Sequence, residues 1–312
     1  MIRSLLITML LMLSSATLRA QSNQQPKSLA ERLGYPADAK LVIVHADDLG
    51  MAHSINEATM KALASGLVNS GSIMIPCSWV PEIAAYARAN PQADLGLHLT
   101  LTSEWRDYRW RPLLAGSVSS LLDDSGYLYL TEREAASKIK VDEVDKELRA
   151  QVERARKLGI QPTHLASHMG TLYQSRQLFE TLLKIARENK LPIRVSKEMF
   201  KQMNYLPEIL KPEDVVLDRI ISIDPSVSNE GWAKYYSDEL RNLSPGVSEI
   251  VIHIAHDDPE MKAITVDHPN WGAAWRERDF QFFTSEAFRK MLDESKIKLI
   301  TWRDLRKVQY GY

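Results

Sequence analysis

The 312-residue chain has a single cysteine, Cys77, so no disulfide can form within it whatever the redox state of its compartment. Cys77 stands among the apolar Ile73, Ile75 and Trp79, where a thiol packs as a small hydrophobe. Charge of one sign is also lacking: 39 Lys and Arg against 40 Asp and Glu leave a formal charge of −1 with no long basic tract. That excludes the electrostatic signature of a nucleic-acid binder or of a protein held on an anionic membrane, and favours a neutral substrate. No apolar run reaches the roughly 20 residues of a membrane helix. Nor does a Pro/Ser-rich linker or an internal repeat divide the chain, which predicts one domain with a full core.

The longest apolar run, residues 5–13, follows Arg3 and is followed by small residues up to Ala20 and a polar stretch from Gln21. This is the plan of a signal peptide over residues 1–20, cleaved near Ala20, and predicts export to the periplasm or beyond with no membrane span afterwards. Residues 21–39 read as a lead-in and 40–308 as the folded domain.

Short β-rich runs recur at 41–46, 70–75, 95–99, 164–168, 193–196, 215–222, 249–254 and 298–302. Helical patterns lie between most of them, at 55–65, 81–89, 142–158, 176–189 and 285–295. The clearest is 142–158, where Val144, Leu148, Val152, Ala155 and Leu158 keep a helical spacing and Gly159 marks the stop. Strands alternating with helices predict a parallel α/β fold, and some eight strands favour a distorted or incomplete (β/α) barrel over an open sheet. Residues 102–134, with Trp105, Tyr108, Trp110, Tyr127 and Tyr129, break this rhythm and read as a long excursion above the barrel mouth.

The chemistry gathers at strand ends, where barrel enzymes carry their sites. The first strand delivers Asp47-Asp48 before Leu49-Gly50. Side chains on a strand alternate, so both carboxylates can reach one site only if the strand has ended and the chain is turning, as Gly50 permits. Their mutual repulsion would be relieved by a cation, leaving one free to accept a proton. His98 ends the third strand, and alternation puts His164, Ala166 and His168 on one face of the fourth. Two imidazoles and one carboxylate suffice to hold a catalytic cation with open positions for water and substrate. His253, ending another strand, is placed to donate a proton, with His256 as the fallback.

Taken together, Ala46-Asp47-Asp48-Leu49-Gly50, Asn56, Gly96-Leu97-His98-Leu99, Pro162-Thr163-His164 with Ser167-His168, and Glu249 with His253 resemble the YdjC/ChbG-type carbohydrate deacetylases in order and spacing. The resemblance implies a deacetylase-type barrel, hydrolysis of N-acetyl groups on sugars, and a divalent cation, magnesium or zinc. It implies Asp48, His98 and His168 as metal ligands, Asp47 as general base and His253 as general acid. The chain departs from the family at His45, where Asn is usual, at Ala166, where Asp is frequent, and at Ile254, where Pro is usual. Loss of a carboxylate at 166 bears on how the imidazoles are supported.

Trp105, Trp110, Trp271 and Trp275 are the candidate platforms for sugar faces of an N-acetylated carbohydrate. Two other readings stay open on the sequence: an ester or glycoside hydrolase using the same metal site, and a carbohydrate-binding barrel without turnover. Members of the family can form homodimers, but no self-complementary stripe here derives one.

Overall fold

The computed structural model describes residues 27–311, so the expected signal peptide and the start of the lead-in lie outside the described residues. Seven strands, β1 Lys40–Leu49, β2 Ser70–Ile73, β3 Leu95–Leu99, β4 Leu165–Ser167, β5 Arg219–Ile221, β6 Gly246–Ile252 and β7 Ile297–Leu299, form one sheet. Every pairing is parallel, in the order β4-β3-β2-β1-β6-β5, with β7 wedged against the first residues of β1. The expected strand at 193–196 is instead an extended segment. It joins the two sheet edges through single parallel bridges, Leu165 to Ile193 and Ser196 to Leu217. The ladder stops there because Ser196 already opens the 3-10 turn Lys197–Lys201. The sheet is thus a distorted barrel with one stave reduced to two contacts.

Two other expected strands are shorter than their patterns suggested. Over 215–222 only Arg219–Ile221 pairs in register, because the Asp218 side chain takes the Val247 N–H that a ladder would use. At 298–302 the strand ends at Leu299, and Trp302 opens a helix, Trp302–Tyr310, started by a capping box between Thr301 and Asp304. The five expected helices are present as His53–Ser65, Val80–Ala89, Val141–Lys157, Arg176–Asn189 and Glu286–Glu294. Among the described residues no helix is long and apolar enough to cross a membrane.

Alternation along the strands sorts the core into two layers. Val42, Val44 and Ala46 of β1, with Leu95, Leu97 and Leu99 of β3, join the large cluster under the helices. Leu41 and Ile43 turn the other way and, with Leu217, Val247, Ile300, Trp302 and Leu29 of the lead-in helix Leu29–Arg32, form an apolar floor. Above that floor the same interior rows turn polar: His45 and Asp47 on β1, Ser70 and Ser72 on β2, Gly96 and His98 on β3, Glu249 on β6. The floor seals one end of the barrel and the polar rows lead to the other.

The excursion is not a loop projecting into solvent. Trp105, Trp110, Val118, Leu121 and Leu128 are buried in the main cluster. Its path is fixed from below by Val141–Lys157, on which Glu143, Glu147 and Gln151 are buried at helical spacing. Glu147 accepts from the backbone N–H groups of Leu113 (2.9 Å) and Leu114 (3.0 Å), and Glu143 from that of Ser120 (2.8 Å). Gln151 does the same for Thr100 at the end of β3 (3.0 Å).

Candidate metal centre and active site

The two aspartates reach one site by a route the sequence reading did not anticipate. β1 does not end at Ala46 but continues to Leu49, with an extra residue against β2 between Ala46 and Leu49. This bulge is made by Asp48 itself, held at φ +71°, a left-handed conformation that aspartate tolerates better than most residues. Asp47 keeps its place in the interior row, and the reversal at Asp48 brings the second carboxylate round beside it. Gly50 then turns the chain at φ +87°, and a Cβ there would lie 2.8 Å from Val80 Cγ2.

Asp48, His98 and His168 each offer a ligand atom, and these atoms lie within 4.8 Å of one another. His98 Nε2 and His168 Nδ1 are both 3.5 Å from Asp48 Oδ1. That oxygen is buried with no hydrogen-bond partner among the described residues, while Oδ2 accepts from Arg276 at 2.8 Å. An orphaned carboxylate oxygen facing two imidazole nitrogens is a donor set suited to a divalent cation. The electrostatics agree. Burial disfavours the Asp48 charge, but Arg276, His168 and His253 outweigh it and hold the carboxyl well below the usual range. Burial, with help from the neighbouring His168 and Arg194, takes His98 down to about 3, so its ring is neutral and has a lone pair to give. For His168, burial is overcome by the carboxylates of Glu104 and Asp48, which push it up to about 10. The field that favours an imidazolium between these acids equally favours a cation beside the ring.

Asp47 is buried and crowded with donors. Ser72 Oγ (2.8 Å) and Arg194 (3.0 Å) donate to Oδ1, and Arg194 donates to Oδ2 at 2.9 Å. His45 Nε2 is 3.1 Å from Oδ1, while its Nδ1 shares a hydrogen bond with Ser70 Oγ at 2.9 Å. Where the family usually has Asn, the longer imidazole therefore spans from β2 to the carboxylate. Burial opposes ionisation of Asp47, but Arg194, His98 and His45 together hold it well below the usual carboxylate range. Arg194 also pairs with Glu249 at 2.9 Å, and Glu249 accepts from Trp302 Nε1 at 2.8 Å.

His253 is half-buried at the end of β6; its backbone N–H donates to Asp279 at 3.2 Å, and its ring has no hydrogen bond among the described residues. Burial lowers its pKa, against the pull of Asp48. His256 is engaged elsewhere, by Glu277 at 3.3 Å and Lys61 at 3.2 Å. Three of the four tryptophans are packing residues by position: Trp105, Trp110 and Trp275 are buried, and only Trp271 is half-buried. Trp105 Nε1 donates to Met51 Sδ (3.1 Å) and Trp110 Nε1 to the Thr102 carbonyl (2.8 Å). Among the described residues the most exposed tryptophan is Trp79, at 39%, its ring tilted 35° to that of His53 with centroids 5.0 Å apart. A surface cavity of about 540 Å³ lined by Cys77, Val80, Leu113 and Leu158 shares no residue with the triad. The triad itself lies beneath the excursion, its residues 1 to 4% exposed.

Glu104, Arg194 and Arg276 complete this site and were not singled out from the sequence. Arg194 did leave a trace, as a lone charge inside the apolar run from Leu191 to Val195. Glu104 and Arg276 left none, since both lie in polar surroundings and reach the site only through the fold.

Against known proteins, the profile of the YdjC-like protein family matches residues 41–294, and the chain belongs to that family. A carbohydrate deacetylase of Thermus thermophilus is 33% identical over 288 residues, covering 90% of this chain and 99% of the relative. A chitooligosaccharide deacetylase of Yersinia enterocolitica is 32% identical over 166 residues, covering 52% of this chain and 62% of its own length. Among solved structures, an Enterococcus faecalis V583 protein described as a candidate cellobiose-phosphate cleavage protein superposes with a TM-score of 0.71 at 24% identity, covering 86% of this chain and 99% of the other. That likeness establishes the barrel.

Proposed function

We propose that this protein is a metal-dependent hydrolase that removes N-acetyl groups from amino sugars or their oligosaccharides. The observation that carries the reading is the pairing of a three-ligand donor set, Asp48, His98 and His168, with an ionised carboxylate, Asp47, on the adjacent residue. Relatives named carbohydrate deacetylase and chitooligosaccharide deacetylase support the substrate class. A bound divalent cation, magnesium or zinc, supplies Lewis acidity that polarises the amide carbonyl and acidifies water.

The chain's own residues do the rest. Asp48 and the two imidazoles would hold the cation. Asp47 takes a proton from the attacking water, and Arg194 and Ser72 hold its orientation. The departing amine needs a proton, and His253 is the group placed to give one. Burial lowers the His253 pKa, so the ring must first take up a proton from solvent; the proton Asp47 removes from the water returns to solvent in exchange, and the two balance. Trp271, half-buried beside Trp275, is the one of the four expected platforms that keeps ring surface for a sugar.

The test is acetate release from N-acetylated chitooligosaccharides by metal-stripped protein with magnesium or zinc restored. Asp47→Asn is expected to cut turnover by roughly 10²- to 10⁴-fold while metal is still bound. Metal binding without any acetate release by the parent protein refutes the substrate assignment, and undiminished turnover in the variant removes Asp47 from the chemistry.

A further inference from the structure

The excursion brings a carboxylate to the triad. Glu104 Oε2 lies 2.9 Å from His168 Nε2, and the other nitrogen of that ring is the one 3.5 Å from Asp48 Oδ1. An imidazole has two nitrogens and a free rotation about its stem. Committing Nε2 to Glu104 fixes the rotation, keeps an N–H on that nitrogen, and leaves Nδ1 as the atom aimed at the triad, whose lone pair becomes available when a cation takes the place of its proton.

Glu104 is itself held in place. Its neighbours Ser103 and Trp105 are buried; Ser103 N–H donates to the Tyr129 carbonyl at 2.8 Å, and Trp105 Nε1 is tied to Met51. The Glu104 side chain is only 15% exposed, so this is not a surface acid that happens to lie near a histidine. On β4 the position that pairs with His98 is Ala166, whose methyl offers no polar atom to either imidazole. β4, the strand that leads into His168, therefore has no carboxylate of its own at that level, and the nearest one on the interior wall, Asp47, faces His98 at 3.6 Å.

We propose that Glu104 is the outer carboxylate of the metal centre, a positioning residue that orients His168 and takes over from the barrel wall a task this chain's Ala166 cannot perform. The proposal rests on the metal-centre reading above. It makes the excursion part of the metal site: the segment that covers the triad also decides how well one ligand is aimed.

The experiment is calorimetric titration of Zn²⁺ into chelator-stripped protein for the parent chain, Glu104→Gln and Glu104→Ala, with melting of each metal-free form. Loss of an orienting carboxylate is expected to weaken Zn²⁺ binding by about 10- to 100-fold in Glu104→Ala, and by less in Glu104→Gln, whose amide oxygen can still accept from Nε2–H. The metal-free melting temperatures are expected to stay close to that of the parent. Parent-like affinity in both variants overturns the proposal, as does a lowered metal-free melting temperature with undiminished affinity, which would make Glu104 a structural residue. A parent protein that takes up no Zn²⁺ overturns the metal-centre reading itself, which is a separate result.

Discussion

Gly96→Ala should be far more costly than a glycine-to-alanine change in a strand usually is. The backbone at residue 96 has no positive φ, so alanine incurs no conformational strain there, and by shrinking the unfolded ensemble it should stabilise by about 0.4–1 kcal/mol. Packing decides otherwise. A Cβ at 96 would sit 2.6 Å from Cδ2 of His164 and nearer still to Cε1 and Nε2. The ring cannot retreat, because Trp302 stacks on it at 4.9 Å and His45 meets it edge-on at 4.9 Å. Overpacking of this kind costs typically 1–3 kcal/mol, and a ring held between two neighbours puts the change at the upper end. A loss of about 3 kcal/mol corresponds to roughly 6 to 12 °C in melting temperature for a domain of this size. The assay is urea and thermal unfolding of Gly96→Ala, His164→Ala and the double variant. If the clash is the cause, alanine at 96 becomes neutral or mildly stabilising once the imidazole is gone. Equal destabilisation in both backgrounds would refute the reasoning.

Two further outcomes follow from the buried charges. Arg194→Met leaves Asp47 and Glu249 buried without their cation and is expected to cost about 3–5 kcal/mol in urea unfolding; a loss below 1 kcal/mol would show that the pair is not held as described. Asp279 is raised to about 7 by burial, against the hydrogen bonds from the His253 backbone and Trp232. Its folded form takes up a proton near pH 7 that the unfolded chain takes up only near 4, so its contribution stabilises the fold as pH falls from 7 towards 4 and is lost as pH rises through 7. The sign is opposite to that of Asp47 and Asp48, whose depressed values favour the fold at higher pH. Measured as the stability difference between the parent and Asp279→Asn, the swing should be a few kcal/mol across that window, and a flat difference would sink it.

The barrel was legible because its strands obey two simple signals, apolar runs of the right length and polar residues at their ends. Alternation put His164, Ala166 and His168 on one face, and His98 and His253 stood out as imidazoles at the ends of apolar strands. What alternation could not foresee was a violation of itself: Asp48 joins Asp47 through a bulge, a backbone state that the letters Asp-Asp do not announce. The stave at 193–196 looked like its neighbours in composition, yet it is cut short by the turn that Ser196 opens. Arg276 lies 228 residues from its partner Asp48, and no local pattern could connect them. Glu143, Glu147 and Gln151 share the spacing of a buried face, but polar side chains give no local sign that they are buried. The tryptophans misled in the opposite direction, since an aromatic-rich excursion reads as a binding surface and Trp105 and Trp110 instead pack inward.

The way Glu143, Glu147 and Gln151 grip the chain has an evolutionary corollary. Apart from one contact between Gln151 and Glu147, these side chains bind main-chain groups, chiefly amide protons that every residue except proline possesses. Such a mount is indifferent to the identity of the residues it carries. Substitutions at Leu113 or Leu114 leave these hydrogen bonds in place so long as proline is avoided there, whereas Ser120 also accepts from the Lys140 N–H through its own hydroxyl. A lineage can thus retailor the covering over the triad while its anchorage stays in register.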